Sequence, residues 1–225
     1  MAERALDPDR QIALANMPWR FRPAFAALWT IDLALADVVA TTSEPALGAI
    51  RLAWWREALA TLDEAPPPAE PTLRAVASEL LPHGIRGTDL SALADCWLPL
   101  LEPTPDRQAV ADALRLRGTI LFGTGARLLG WQAEVGAAAG ALWSLVDGAR
   151  QCSDVHLRAV LLDEARRAIA LLPLQKPPRA LRPMTVLAAL AAHDVLRNKP
   201  LDIGGGTGRG IVASLHQLRG SLPRG

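Results

Sequence analysis

Acidic side chains set inside apolar, helix-forming stretches are the residues of this sequence best suited to chemistry. Asp32 and Asp37 stand among aliphatic neighbours in TIDLALADVVA, and Asp147 and Asp154 flank Arg150 and Gln151 in LVDGARQCSD. Carboxylates hold a divalent cation together when they share one helix face, at i and i+3 or i+4. Asp32 and Asp37 are five apart, about 140° of rotation at 100° per residue, so one helix does not aim both at one ion. Asp147, Arg150, Gln151 and Asp154 keep the i, i+3, i+4, i+7 spacing of a single face. Only two of these four are acidic, and an ion-pair ladder along the helix is the expected use. A further group, Arg51, Trp54, Trp55 and Arg56, combines cations with aromatic rings. Two guanidiniums beside a cavity can grip a diphosphate in bidentate fashion. The alternative is that they pair with acidic neighbours while the tryptophans pack in the core.

Other motifs carry less. GGGTGRG at 204–210 looks like a phosphate loop, but no strand precedes it and the Lys–Ser/Thr pair of a nucleotide loop is missing, so it reads as a linker. His83, His156, His193 and His216 lack ligand spacing. Cys96 and Cys152 are isolated, as buried thiols of a reduced, cytoplasmic protein would be.

The elements that must position these groups are helices. From Pro23 to Val39 apolar residues recur every three or four positions, the pattern of a helix buried on more than one face. Thr41–Pro45 breaks it, with Ser43 as N-cap and Pro45 near N1 of a second helix running through Leu59. A proline loop at 65–71 precedes a helix over Thr72–Leu81, and Thr88–Asp89 caps another that reaches about Leu101. Asp106 opens a long segment whose Gly118, Gly123 and Gly125 signal close helix–helix approach or a ligand. Helices over Glu134–Cys152 and Val155–Leu172, then MTVLAALAAHDVLR and IVASLHQLRG, complete an all-α chain of eight or nine helices. No alternating β-pattern and no persuasive domain boundary interrupts it, so 1–225 reads as a single domain.

Half of the residues are hydrophobic and the formal net charge is +1. That balance gives no global field toward nucleic acid or an anionic membrane. The opening MAERALDPDR lacks the apolar segment of a secretory leader and no run of about 18 uncharged apolar residues occurs, so neither a leader nor a transmembrane segment is expected.

The run SEPALGAIRLAWWREAL at 43–59 is similar to the S-E-P-x-L-G-x-I-R-L-x-W-W-R-x-A-L signature of the squalene/phytoene synthase family. RPAFAALWTIDLALADV at 22–38, RGTILFGTGARLLG at 117–130, AGALWSLVDGAR at 139–150 and LLDEARRAIALLP at 161–173 support the resemblance. The likeness is strongest to a bacterial branch related to a mitochondrial complex I assembly factor. It implies an isoprenoid-synthase-like helical bundle around a central, largely apolar cavity. Active members condense two prenyl diphosphates head to head, using Mg²⁺ held by two DxxxD motifs. Here Asp32 stands near the first motif position, but its i+4 partner is Ala36. The second motif falls just after Arg150, where this chain has Gln151 and, four on, Val155, and the G-R-x-Y-L-P segment is absent.

The expectation is therefore a catalytically degenerate member with no cofactor, binding a prenyl lipid, its diphosphate or a partner protein. A role in respiratory-complex assembly is what the branch resemblance implies. The alternatives are an active prenyl transferase using Mg²⁺ and a purely structural helical interaction protein. Asp32, Arg51, Trp54, Arg56, Asp147 and Arg150 are the candidate cavity and diphosphate residues; none is assigned a catalytic or metal role. No nucleic-acid partner is expected. The expected location is cytoplasmic, with peripheral contact at the inner membrane.

Overall fold

The computed structural model describes residues 6–173, 175–197 and 207–220. Within them lie ten α-helices, linked in places by short 3-10 turns, and no strand. The chain divides into two compact units. One is formed mainly by Trp19–Ala113, and the other by Asp7–Pro18 together with the chain from Leu114 onward.

The first unit is built on α2 (Arg22–Thr41). Its apolar residues surround the helix rather than striping it, and Phe25, Leu28, Trp29, Ile31 and Leu35 are all inaccessible to solvent or nearly so. With the turn before it, Trp19–Thr41 is long and apolar enough to cross a membrane, yet 67% of its most apolar window is buried inside the fold. Core burial accounts for its composition. α3 (Pro45–Thr61), α4 (Pro71–Glu79) and α5 (Gly87–Asp95) pack in this unit, α3 lying along α5 and α4 along α2. α3 and α5 meet at Gly87, where a Cβ would lie 2.0 Å from the carbonyl oxygen of Leu59. Only glycine permits that approach.

Two caps differ from the sequence expectation. Glu44, not Ser43, occupies the N-cap of α3 and makes no side-chain capping bond. At α5 the capping carboxylate is not local. Asp63 accepts from the backbone N–H groups of Gly87 at 2.6 Å and Thr88 at 3.0 Å, and from the Thr88 hydroxyl at 2.9 Å. Spacing rules that look only at the residues before a helix miss such a partner. The helix also stops at Asp95, and a 3-10 turn covers Leu98–Leu101.

The second unit gathers α1 (Pro8–Asn16), the part of α6 (Arg107–Leu128) from Leu114 onward, α7 (Glu134–Gln151), α8 (Val155–Ala170), α9 (Arg182–Leu196) and α10 (Thr207–Arg219). α9 is its central rod: every residue from Pro183 to Ala192 is buried, and α1, α7, α8 and α10 all pack on it. α6 and α7 cross backbone to backbone. A Cβ on Gly118 would lie 2.0 Å from the Gly140 carbonyl oxygen, and one on Gly140 2.1 Å from that of Gly118. The glycines of α6 thus include one that serves helix contact, as their placement in the sequence suggests.

Candidate functional site

The candidate residues of the first unit are dispersed in role. Asp32 is fully buried in the middle of α2. Arg51 is exposed and donates to two hydroxyls at the α2–α3 corner, Thr42 at 2.6 Å and Thr41 at 3.3 Å. Those hydroxyls in turn donate to the Val38 and Asp37 carbonyls, the C-terminal carbonyls of α2. Arg51 therefore ties a helix corner together through neutral oxygens, not through an acidic neighbour. Arg56 does meet an acid, Asp95, at 3.5 Å on the surface, where such pairs contribute about 0–1 kcal/mol. Trp54 is half-exposed and packs edge-on against the buried Trp55, ring centroids 5.1 Å apart.

The candidates of the second unit, Asp147 and Arg150, come together in a buried ionic cluster. α1 contributes first. Its N-cap Asp7 accepts from the N–H groups of Asp9 and Arg10, each at 3.0 Å, with Pro8 at the head of the helix. This local stop places Asp9 and Arg10, both buried, in the first turn. Arg117 of α6 donates to Asp147 at 2.9 Å and to the Ser144 hydroxyl at 3.1 Å. Arg10 reaches the same Asp147 oxygen at 3.4 Å and also pairs with Asp7. Arg150 bridges Asp194 of α9 at 2.6 Å and Asp9 at 3.2 Å. Arg209 of α10 holds Asp9 with a two-pronged fork, its Nε 2.9 Å from Oδ1, and Asp194 at 2.6 Å.

Four carboxylates (Asp7, Asp9, Asp147, Asp194) and four guanidiniums (Arg10, Arg117, Arg150, Arg209) thus balance in charge across five helices. Trp143 closes the cluster on one side. The guanidinium carbons of Arg10 and Arg117 lie 4.8 and 5.0 Å from its ring centroid, a doubled cation–π contact around a buried indole.

The electrostatics follow from this neutralisation. Burial opposes ionisation of Asp147, but the charges of Arg10 and Arg117 and the hydrogen bond from Arg117 outweigh it, holding the carboxyl at about 2. Asp194 follows the same logic: desolvation raises its pKa, while the hydrogen bonds and charges of Arg209 and Arg150 bring it below the usual value. For Arg209 desolvation works against the cation, and the two aspartates reverse the effect and raise its pKa. Carboxylates held this way make poor general bases, since their lone pairs are engaged by strong, charge-assisted donors. They also suit a divalent cation poorly. Asp9, Asp147 and Asp194 each accept from two guanidiniums, so an approaching metal ion meets positive charge beside each carboxylate.

The intrahelical ladder expected from Asp147 to Asp154 does not form. α7 ends at Gln151, and Asp154 is the N-cap of α8, accepting from the His156 N–H at 2.8 Å. Asp147 and Arg150 instead reach out to other helices. Sequence reasoning missed Arg10, Arg117, Asp9, Asp194 and Arg209. Arg209 sits in the glycine-rich stretch that reads as a linker. Residues 204–206 of that stretch lie outside the described residues, but Thr207 to Gly210 form the first turn of α10. The available signal was a charge inside a small, apolar helical run, as at Asp194 in LAALAAHDVL.

Residues 4–97 match the family model for squalene/phytoene synthase. Over these residues the chain is similar to the squalene/phytoene synthase family. The matched stretch contains α1 to α5, including the SEPALGAIRLAWWREAL signature and Asp32. It stops before the family-like run that carries Asp147 and Arg150. No curated protein and no solved structure matched the chain.

Proposed function

We propose that this chain is a catalytically degenerate squalene/phytoene synthase family protein, which binds a prenyl lipid, its diphosphate or a partner protein without condensing prenyl diphosphates. The observation that carries the reading is that Asp147 of α7 and Asp194 of α9 are each paired with two guanidiniums. Ionising an allylic diphosphate requires dense positive charge against its phosphates. Metal ions gathered by several carboxylates ordinarily supply it. In this chain Asp147 and Asp194 are committed to arginine, Gln151 and Val155 stand at the second-motif positions, and Asp32 has Ala36 as its i+4 neighbour. These residues do not fit a magnesium cluster, and no step is routed through one.

The test is incubation of the purified protein with farnesyl or geranylgeranyl diphosphate and Mg²⁺. The expected result is no release of inorganic diphosphate and no squalene or phytoene. Farnesyl diphosphate is expected to raise the melting temperature to the same extent with and without Mg²⁺ if the prenyl ligand is the physiological one. Mg²⁺-dependent product that disappears in Asp32→Ala would overturn the reading in favour of an active transferase.

A further inference from the structure

The helix α10 is packed inside out. The positions turned inward are the largely covered Arg209, the buried Ala213 and His216 and, just past the helix end, the buried Gly220, spaced i, i+4, i+7, i+11. Arg209 is locked to Asp9 and Asp194, and the His216 Nε2 lies 2.8 Å from the Thr185 hydroxyl of α9. Arg182, at the start of α9, donates to the carbonyls of Gln217 and Leu218 at 2.9 and 3.0 Å. The helix is thus attached by a polar and small-residue face. At 100° per residue its aliphatic residues Ile211, Leu215 and Leu218 cluster about 180° away, and they are 57%, 40% and 76% exposed. A helix of a globular unit ordinarily turns such a stripe to the core.

Charge says what the stripe faces. Residues 179–225 carry seven cations (Arg179, Arg182, Arg197, Lys199, Arg209, Arg219, Arg224) and two acids (Asp194, Asp202), a net of +5. The whole chain is +1, so residues 1–178 sum to −4. No acidic residue follows Asp202, and Arg179, Arg197 and Arg219 are exposed. The near-zero total hides a strongly basic C-terminal segment. An aliphatic stripe flanked by arginines and free of acids is the composition of a helix that lies in the plane of an anionic bilayer.

We infer that α10 is a membrane-docking helix: Ile211, Leu215 and Leu218 enter the headgroup–acyl boundary of an anionic bilayer, with Arg219, Arg179 and Arg197 against lipid phosphates. This inference does not depend on the binding function proposed above, because Ile211, Leu215 and Leu218 take no part in the ionic cluster. The polar face stays bound to α9 and α1, so docking requires no unfolding.

The test is flotation of the full chain with vesicles of phosphatidylcholine alone and of equimolar phosphatidylcholine and phosphatidylglycerol. The protein is expected to float with the anionic vesicles, weakly or not at all with the neutral ones, and less as salt is raised. The double substitution Ile211→Ser and Leu218→Ser is expected to lower partitioning about tenfold or more, with unchanged circular dichroism, since both side chains already face solvent. Arg219→Glu, which leaves the aliphatic stripe intact, is expected to lower it about tenfold and serves if the double variant does not fold. Equal flotation with neutral vesicles, no flotation, or wild-type flotation by both variants overturns the inference. So does a wild-type dimer that the serine variant makes monomeric, which would assign the stripe to a second copy of the chain.

Discussion

Replacing Asp147 by Asn keeps the shape of the side chain and removes the charge that two buried guanidiniums share. Asp147 is 3% exposed and Arg117 is 1% exposed, so water cannot take over the lost role. A lower bound on the cost comes from the carboxyl itself. Its pKa falls from 3.8 to about 2 on folding, and at about 1.4 kcal/mol per unit the ionised form is favoured by about 2 kcal/mol. An upper bound is the cost of breaking a buried pair from one side, about 3–5 kcal/mol. With a urea slope of about 2 kcal/mol per molar, the midpoint of Asp147→Asn should drop by about 1–2.5 M at neutral pH. The measurement is urea denaturation followed by far-ultraviolet circular dichroism. Adding Arg117→Met to the same chain should recover part of the loss, because the stranded cation is then gone. A midpoint shift below about 0.5 M, or a double variant weaker than the sum of the two single ones, would refute the claim that mutual neutralisation holds this cluster together.

Three further outcomes follow from the same structure. Asp147 and Asp194 both have depressed folded-state pKa values. The stability they add is present above the unfolded carboxyl value near 3.8 and is lost as pH falls toward 2. Melting temperature should therefore drop steeply between about pH 4 and 2, and less steeply in Asp147→Asn. Gly118→Ala puts a methyl 2.0 Å from the Gly140 carbonyl oxygen, where only backbone movement can relieve it; thermal denaturation should show a loss of about 3 kcal/mol, at the upper end for overpacking. Asp63→Ala removes the remote cap of α5 and should cost about 1–2 kcal/mol in chemical denaturation, while Asp89→Ala should cost less than about 1 kcal/mol, since its partner Arg86 is exposed.

The helices were largely legible. The 3.6-residue spacing of aliphatics, the prolines at helix starts and the Thr–Pro break placed α2, α3, α7 and α8 within a few residues of their bounds, because those signals are local. Charge partners are not local, and they account for most of the differences. Asp63 caps a helix that begins 24 residues later, and Arg150 reaches α1 and α9 rather than Asp154. Asp32 was singled out as an acid among aliphatics and is buried, as its neighbours imply. Asp194 sits in the same kind of surroundings but was passed over, since nothing in its own helix names Arg209 as its partner. Arg209 was hidden by glycines that suggest a loop. There the ion pairs with Asp9 and Asp194 and the packing of Ala213 hold a helix whose first turn has poor intrinsic propensity.

The bond between Asp9 and Arg209 joins residues 200 positions apart, and this bears on the order in which the chain acquires its structure during synthesis. Trp19–Ala113 is continuous in sequence and can complete its unit while the ribosome is still translating. α1 emerges earlier but has to wait. Until α7, α9 and α10 arrive, Asp9 and Arg10 remain solvated, and their pairing must pay the closure entropy of almost the entire chain. Translation that stalls before Arg209 would therefore leave a nascent protein with one finished half, and with Asp9 and Asp194 sharing the single cation of Arg150. Such an intermediate would be a natural substrate for chaperones and proteases.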